Sequence, residues 1–260
     1  GCDVTKGNEE LLLSLFKESI NKVTDGWSDE AYEKYMTSSK LKRTMSLLDQ
    51  ENYGGWHSTA TWYPEIIEAL KDDVVISIGH TGADYDCAAK AMEKGAHHVT
   101  HLYNAMNPLG HRAPGVIAAA ADDPLCMAEM IGDGIHIHPA VVRNTFRMFG
   151  KERIVLISDS MMATGMPNGT YSLGGQAVWM KDGKATLTDG ETIAGSATNL
   201  YDCMRKAVSC DIPLADAIFA ATRNPAQSIG IYDEVGSIAP GKKAHVLLVD
   251  DELNLKQVIM

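Results

Sequence analysis

The chain has 260 residues, 45% of them apolar, and a formal net charge of −11. That apolar share suffices for a substantial core, in one large domain or one large plus one small, and excludes a disordered chain. The acidic balance argues against a nucleic-acid or membrane-surface partner, since both select for basic patches. A small anionic substrate is compatible with it where a local cluster such as His111-Arg112 sets the sign of its own site.

The five cysteines form no CxxC and are odd in number, so they read as reduced thiols in a cytoplasmic protein. Gly1-Cys2-Asp3-Val4 lacks the basic-then-apolar pattern of an export signal, and no apolar run reaches the length of a membrane span. With no initiator Met, the expectation is a fragment or a processed form.

In chain order, residues 1–58 have a texture of their own. Leu12, Leu15, Phe16 and Ile20 give a helical pattern within 9–23, while 29–49 is charged and sparse in apolar residues. This part is expected to be helical and partly exposed, with no strand ending in a metal ligand. A short strand over 59–63 and a helix over 64–70 follow. Four apolar runs then each stop at a residue able to bind a metal or carry a proton: 74–80 at His80, 98–101 at His101, 127–133 at Asp133, and 154–159 at Asp159.

Between these runs, Tyr85, Ala88, Ala89 and Met92 fall at i, i+3, i+4, i+7, and Val142, Phe146 and Phe149 repeat the logic behind Pro139. Strand, helix, strand in this order predicts right-handed crossovers and strand carboxyl ends on one rim, the layout of a (β/α) barrel. Beyond Asp159 the rhythm changes. Residues 171–188 alternate around Gly174-Gly175 and Asp182-Gly183, as in a hairpin insertion; helices over 199–209 and 214–229 follow, the second interrupted at Asn224-Pro225. The tail over 236–250 reads as a turn and a strand of a small separate sheet.

Neutral imidazoles with a position left open suit a divalent cation that activates water and polarises a carbonyl. His80 and His101, ending consecutive predicted strands, are the best ligand pair. His97 and His98 read as loop or surface residues, because strand alternation turns 98 away from 101. His136, after Asp133-Gly134, reads as a substrate contact in a loop, with metal binding through His136-Ile137-His138 or a structural role as alternatives. Asp159, closing an apolar run, would sit partly desolvated at the rim as a general base and acid, or else cap a helix or pair with Arg. Asn104 and Arg112 offer amide and guanidinium donors for a phosphate or a sugar oxygen.

Gly79-His80-Thr81, Thr100-His101-Leu102-Tyr103-Asn104-Ala105-Met106, Arg112-x-Pro114-Gly115, Asp133-Gly134-Ile135-His136, Ser158-Asp159 and Ile193-Ala194-Gly195-Ser196 occur in this order. Together they resemble the successive signatures of the N-acetylglucosamine-6-phosphate deacetylases of the amidohydrolase superfamily. The resemblance covers about 59–259 and implies an α/β fold, a (β/α)8 TIM-type barrel bearing a small β-sandwich. It implies a divalent metal, foremost zinc, held by His80 and His101, with Asp159 as general base and acid and His136 as a substrate contact. Asn104, Ala105 and Arg112 would hold the sugar phosphate, and Ile193, Ala194 and Gly195 would line the sugar side. The implied reaction is hydrolysis of N-acetylglucosamine 6-phosphate to glucosamine 6-phosphate and acetate by a homodimer.

The chain departs from the family pattern at its start. The family's His-Leu-Glu-Gly-Pro block, which carries a metal-binding glutamate, has no counterpart, and residues 5–58 are too few for two further βα units. The expectation is therefore a divergent or truncated segment over 1–58, a barrel portion short of its early strands over 59–235, and a remnant of the sandwich over 236–260. Glu30 or Glu51 is a candidate replacement carboxylate. Two rival accounts accompany the enzyme: an impaired fragment acting as a sugar-phosphate-binding or assembly module, and another amidohydrolase of dihydroorotase-like type.

Overall fold

The computed structural model describes residues 43–46, 74–173 and 175–260. The expected helix over 9–23, strand over 59–63 and helix over 64–70, and the candidates Glu30 and Glu51, lie outside the described residues.

Five parallel strands form one sheet: β1 (Arg43–Ser46), β2 (Val74–Ile78), β3 (His98–Val99), β4 (Met127–Ile131) and β5 (Ile154–Ile157). Their order in space is their order in the chain. A sheet wound in one direction, with right-handed crossovers, places its helices on a single face, unlike a doubly wound sheet. The crossovers are α1 (Tyr85–Glu93) between β2 and β3, α2 (Gly115–Asp122) before β4, and α3 (Pro139–Phe149) before β5. Asp84 caps α1 by accepting from the Cys87 amide, and Pro139 opens α3 where its missing N–H costs nothing.

Residues 43–46, expected as part of an exposed helical stretch, instead pair with β2 from Arg43↔Val74 to Ser46↔Ser77. The ladder is a backbone interaction with a neighbouring strand, and it needs no apolar alternation in the segment that joins it.

Strand alternation sorts the sheet into two faces. Ile76, Ile78, Val99, Ala128, Met130, Ile154 and Leu156 belong to the core cluster shared with Ala88, Met92, Val142 and Phe149 of the crossover helices. Fully burying one such Ile or Leu contributes about 1.5–3 kcal/mol. The opposite face carries the intervening residues, among them Ser77, His98, Glu129 and Val155. His98 is 2% exposed, so the expected surface position is corrected: the strand carries it inward, and only His97 lies nearer the surface, 2.7 Å from Asp123 Oδ2.

Arg153 ties the crossovers together. It donates to the carbonyls of Phe149, Ala120, Asp123 and Ala121, which the ends of α2 and α3 leave without helical partners.

Beyond β5, the expected hairpin is a three-stranded antiparallel sheet of β6 (Gly169–Leu173), β7 (Gln176–Lys181) and β8 (Lys184–Leu187). Three helices follow, α4 (Leu200–Ser209), α5 (Leu214–Ala221) and α6 (Arg223–Ser228). The break falls at Thr222, and Pro225 sits inside the first turn of α6, where a proline is tolerated. Asn224, 1% exposed, donates to the carbonyls of Lys151 and Ile154 at 2.7 Å each and pins α6 to the start of β5. The chain closes with the antiparallel pair β9 (Val246–Val249) and β10 (Leu255–Ile259), whose Leu247, Leu248, Val249, Leu255, Val258 and Ile259 are exposed.

Candidate active site

The carboxyl ends of the strands concentrate backbone strain. His80 (φ 46°), His101 (φ 33°), Tyr103 (φ 77°), Ala105 (φ 54°) and Asp159 (φ 51°) all adopt left-handed conformations without being glycine. Each such residue costs on the order of 1–3 kcal/mol, and that cost is tolerated mainly where the turn serves a site.

Gly79 sets the approach of the first two strand ends. A Cβ there would lie 2.8 Å from Thr100 Cβ, so only glycine lets β2 and β3 come this close just before His80 and His101. The two imidazoles meet edge to face with centroids 4.6 Å apart. His101 is buried, and its Nδ1 has no hydrogen-bond partner among the described residues. A buried ring nitrogen left unsatisfied is costly unless something outside the protein satisfies it. Partial burial pulls the His80 pKa down, His101 pulls it further, and Asp159 opposes both. His80 therefore favours the neutral form in which imidazole ligates a metal. An orphan buried ring nitrogen beside the His80 imidazole fits a divalent cation. Among the described residues, no set of three or more His, Cys, Asp and Glu side chains is grouped tightly enough to enclose one.

Asp159 follows β5 and is exposed rather than partly desolvated as expected. Its carbonyl accepts from Ser196 N, and Met161 N donates to Ser196 O, both at 2.8 Å, which lays 193–196 alongside it. Gly195, at φ 64°, passes so near that a Cβ would meet Met161 Cβ at 3.2 Å. Ala194 is buried, while Ile193 is partly exposed.

The loop after β4 forms a second unit. Asp133 accepts from the amides of Ile135 and His136 and from His136 Nδ1, the last at 2.6 Å. Burial would raise the Asp133 pKa, but the His136 ring and the two amides outweigh it and hold the carboxyl below its usual range. An ionised carboxylate only accepts, so Nδ1 carries the proton and Nε2 remains as the acceptor for a ligand.

The loop after β3 is held from several sides. Thr81 bridges Met106, Asn107 Nδ2 donates to Gly82 O, and the Tyr103 hydroxyl meets Thr145 Oγ1 at 2.6 Å. Asn104 Nδ2 donates to the carbonyls of His101 and Leu102, so it braces its own loop. Ala105 is partly exposed; His111 and Arg112 are exposed.

The amidohydrolase family profile matches residues 49–259. The chain belongs to the amidohydrolase family. It is 38% identical over 213 residues to an N-acetylglucosamine-6-phosphate deacetylase of Bacillus subtilis, covering 78% of this chain and 53% of that protein. It is 37% identical over 196 residues to an N-acetylgalactosamine-6-phosphate deacetylase of Escherichia coli O157:H7, covering 75% of this chain and 52% of that one. The crystal structure of N-acetyl-D-glucosamine-6-phosphate deacetylase from Mycobacterium smegmatis superposes with a TM-score of 0.75 at 33% identity, covering 84% of this chain and 56% of that one. The Thermotoga maritima N-acetylglucosamine-6-phosphate deacetylase gives 0.72 at 27%, with 89% and 60% covered. The chain thus spans about half the length of the curated relatives it matches, and it shares their α/β fold of TIM-barrel type.

The sequence reading placed His98 at the surface and did not single out Glu129. His98 Nδ1 lies 3.1 Å from Ser77 Oγ, and Glu129 accepts from the His101 amide at 3.3 Å. The available signal was a single acidic residue at an inward position of the otherwise apolar Met127–Ile131.

Proposed function

We propose that this amidohydrolase deacetylates N-acetylglucosamine 6-phosphate, giving glucosamine 6-phosphate and acetate. The observation that carries the reading is the His80–His101 pair, with a buried Nδ1 that has no partner among the described residues, at the carboxyl ends of adjacent barrel-type strands. His80 and His101 would hold a divalent cation, foremost zinc, and such an ion when bound acidifies water and polarises a carbonyl.

Asp159 accepts a proton from the attacking water and delivers it to the amide nitrogen as the C–N bond breaks. The new C–O bond makes acetate, and the nitrogen leaves as the sugar's amine. His136, oriented by Asp133, contacts the substrate through Nε2, which accepts a hydrogen bond from a sugar hydroxyl or the acetamide N–H. Arg112 and the loop of Asn104 and Ala105 receive the 6-phosphate, while Ile193, Ala194 and Gly195 bound the sugar. The names of the matched relatives favour this over a dihydroorotase-like activity or a non-catalytic module.

The same reading makes the chain part of a (β/α)8 barrel lacking its early strands, with 1–58 divergent, 59–235 the barrel portion, and 236–260 a piece of a small sandwich. The apolar exposure of β9 and β10 supports the last assignment. It also makes the protein a cytoplasmic homodimer. Acetate release is the test: with Zn²⁺ present, N-acetylglucosamine 6-phosphate should turn over, the galacto epimer more slowly, and the unphosphorylated sugar hardly at all. No acetate from either sugar phosphate under metal-replete conditions would refute the assignment.

A further inference from the structure

The inner face of the sheet carries a polar layer just below the His80–His101 pair. Ser77 and His98 are register partners on β2 and β3, both at 2% exposure or less. Ser77 Oγ contacts His98 Nδ1 at 3.1 Å and Thr100 Oγ1 at 2.5 Å. The remaining member is Glu129 on β4, a largely buried carboxylate.

Its surroundings explain little of why an acid sits there. His98 Nδ1 lies 3.9 Å from Oε1, but burial pushes the His98 pKa down to about 4, so that ring is neutral and supplies no counter-charge. An apolar residue would fill this strand position at less cost. What Glu129 does contribute is an acceptor: Oε2 takes the amide hydrogen of His101 at 3.3 Å. His101 is the residue whose backbone turns to φ 33° where β3 ends, a conformation disfavoured for any side chain with a Cβ.

We propose that Glu129 is a positioning residue for His101: by accepting the His101 amide hydrogen it fixes the left-handed turn from which that imidazole projects, and so sets the divalent-cation affinity of the His80–His101 pair. The inference rests on reading that pair as cation ligands. It gives the buried carboxylate a role that packing does not, and it acts through backbone geometry, since the carboxylate holds a main-chain N–H.

The test uses the 260-residue chain as wild type, E129Q, E129D and E129A, with Co²⁺ titrated by visible absorption and its affinity confirmed by dialysis. Gln keeps an oxygen acceptor in place and should hold Co²⁺ within about threefold of wild type, whereas Ala should weaken it about tenfold or more, the scale seen when groups supporting a metal ligand are lost. Asp keeps the carboxyl group but withdraws the acceptor by one methylene, and should behave like Ala; it also serves if the Ala variant does not fold. In metal-free ¹H–¹⁵N spectra the His101 amide proton should move upfield in Asp and Ala. Thermal destabilisation of the Asp and Ala variants with unchanged Co²⁺ affinity, or a His101 amide indifferent to them, would overturn the proposal while leaving the cation site standing. Wild type that takes up no Co²⁺ would instead remove the cation reading, and this inference with it.

Discussion

Asp133 and His136 stand three residues apart in one loop, and Asp133 Oδ2 approaches His136 Nδ1 to 2.6 Å while both side chains are almost wholly buried. The contact fixes a tautomer as well as an orientation, because the carboxylate can only accept. Asp133→Asn keeps an oxygen for the two loop amides but offers an N–H₂ to the ring, which favours the proton on Nε2 instead. A ring with the wrong nitrogen protonated offers the substrate a donor where it is meant to meet an acceptor, so kcat/KM should fall by about 10²–10³-fold. Steady-state kinetics on the sugar phosphate checks this, and a variant as fast as wild type would remove His136 from the chemistry.

The same carboxylate links stability to acid. Its pKa lies below the ordinary range in the folded chain. Its contribution is therefore complete above the unfolded value of about 3.9 and is lost as pH falls through the lower folded value. Thermal melts of wild type and Asp133→Asn between pH 6 and pH 3 should show a gap that is constant at the upper end and closes in acid. A gap that widens in acid would reverse the sign.

Removing either imidazole should separate binding from folding. If a cation binds wild type and the unfolded chain does not, free ion at 100 times Kd adds about 2.7 kcal/mol of stability. His101→Ala and His80→Ala should abolish that increment in Zn²⁺-dependent melts. Asp159→Asn should keep it while losing turnover, because Asp159 is assigned to the proton and not to the ion.

Much of this site was legible because its residues end strands, and strand ends in a barrel-type sheet share a rim whatever the intervening sequence. His80, His101, Asp133 and Asp159 each follow one of these strands. The parts missed are set by tertiary structure. Residues 43–46 pair with β2 through backbone groups that carry no side-chain signature. His98 was turned outward by extending strand alternation through to 101, but β3 ends at Val99 and the His101 backbone leaves the strand at φ 33°. Glu129 was hidden because an acid in an apolar run gives no hint that its partner is a main-chain amide just beyond the end of the neighbouring strand β3.

Gly79→Ala should be costly without any change in backbone conformation. The new Cβ would meet Thr100 Cβ at 2.8 Å, inside the closest normal approach, and Thr100 is held by Ser77 at 2.5 Å and cannot easily yield. Parting β2 from β3 should cost about 1–3 kcal/mol, the usual scale of overpacking. It should also weaken cation binding by spreading His80 from His101. Urea unfolding and a Co²⁺ titration of the same sample read both effects; a stable variant with unchanged affinity would show that the strand ends have slack.

Gly134 offers a cleaner separation of two causes. Its φ is 76°, and a Cβ would lie 2.1 Å from Lys206 Cε and 3.0 Å from its Cδ and Cγ, so the stem of Lys206 on α4 covers the space beside the Asp133–His136 loop. Gly134→Ala therefore carries a backbone penalty of about 1–2 kcal/mol, which no neighbour can relieve, together with a clash that a shorter side chain at 206 does relieve. Lys206→Ala alone should be mild, and the double variant should recover the clash component but not the backbone component. In a double-mutant cycle this appears as a favourable coupling with incomplete rescue. Full rescue would mean that the left-handed turn costs nothing here, and no rescue would mean that Lys206 moves aside freely.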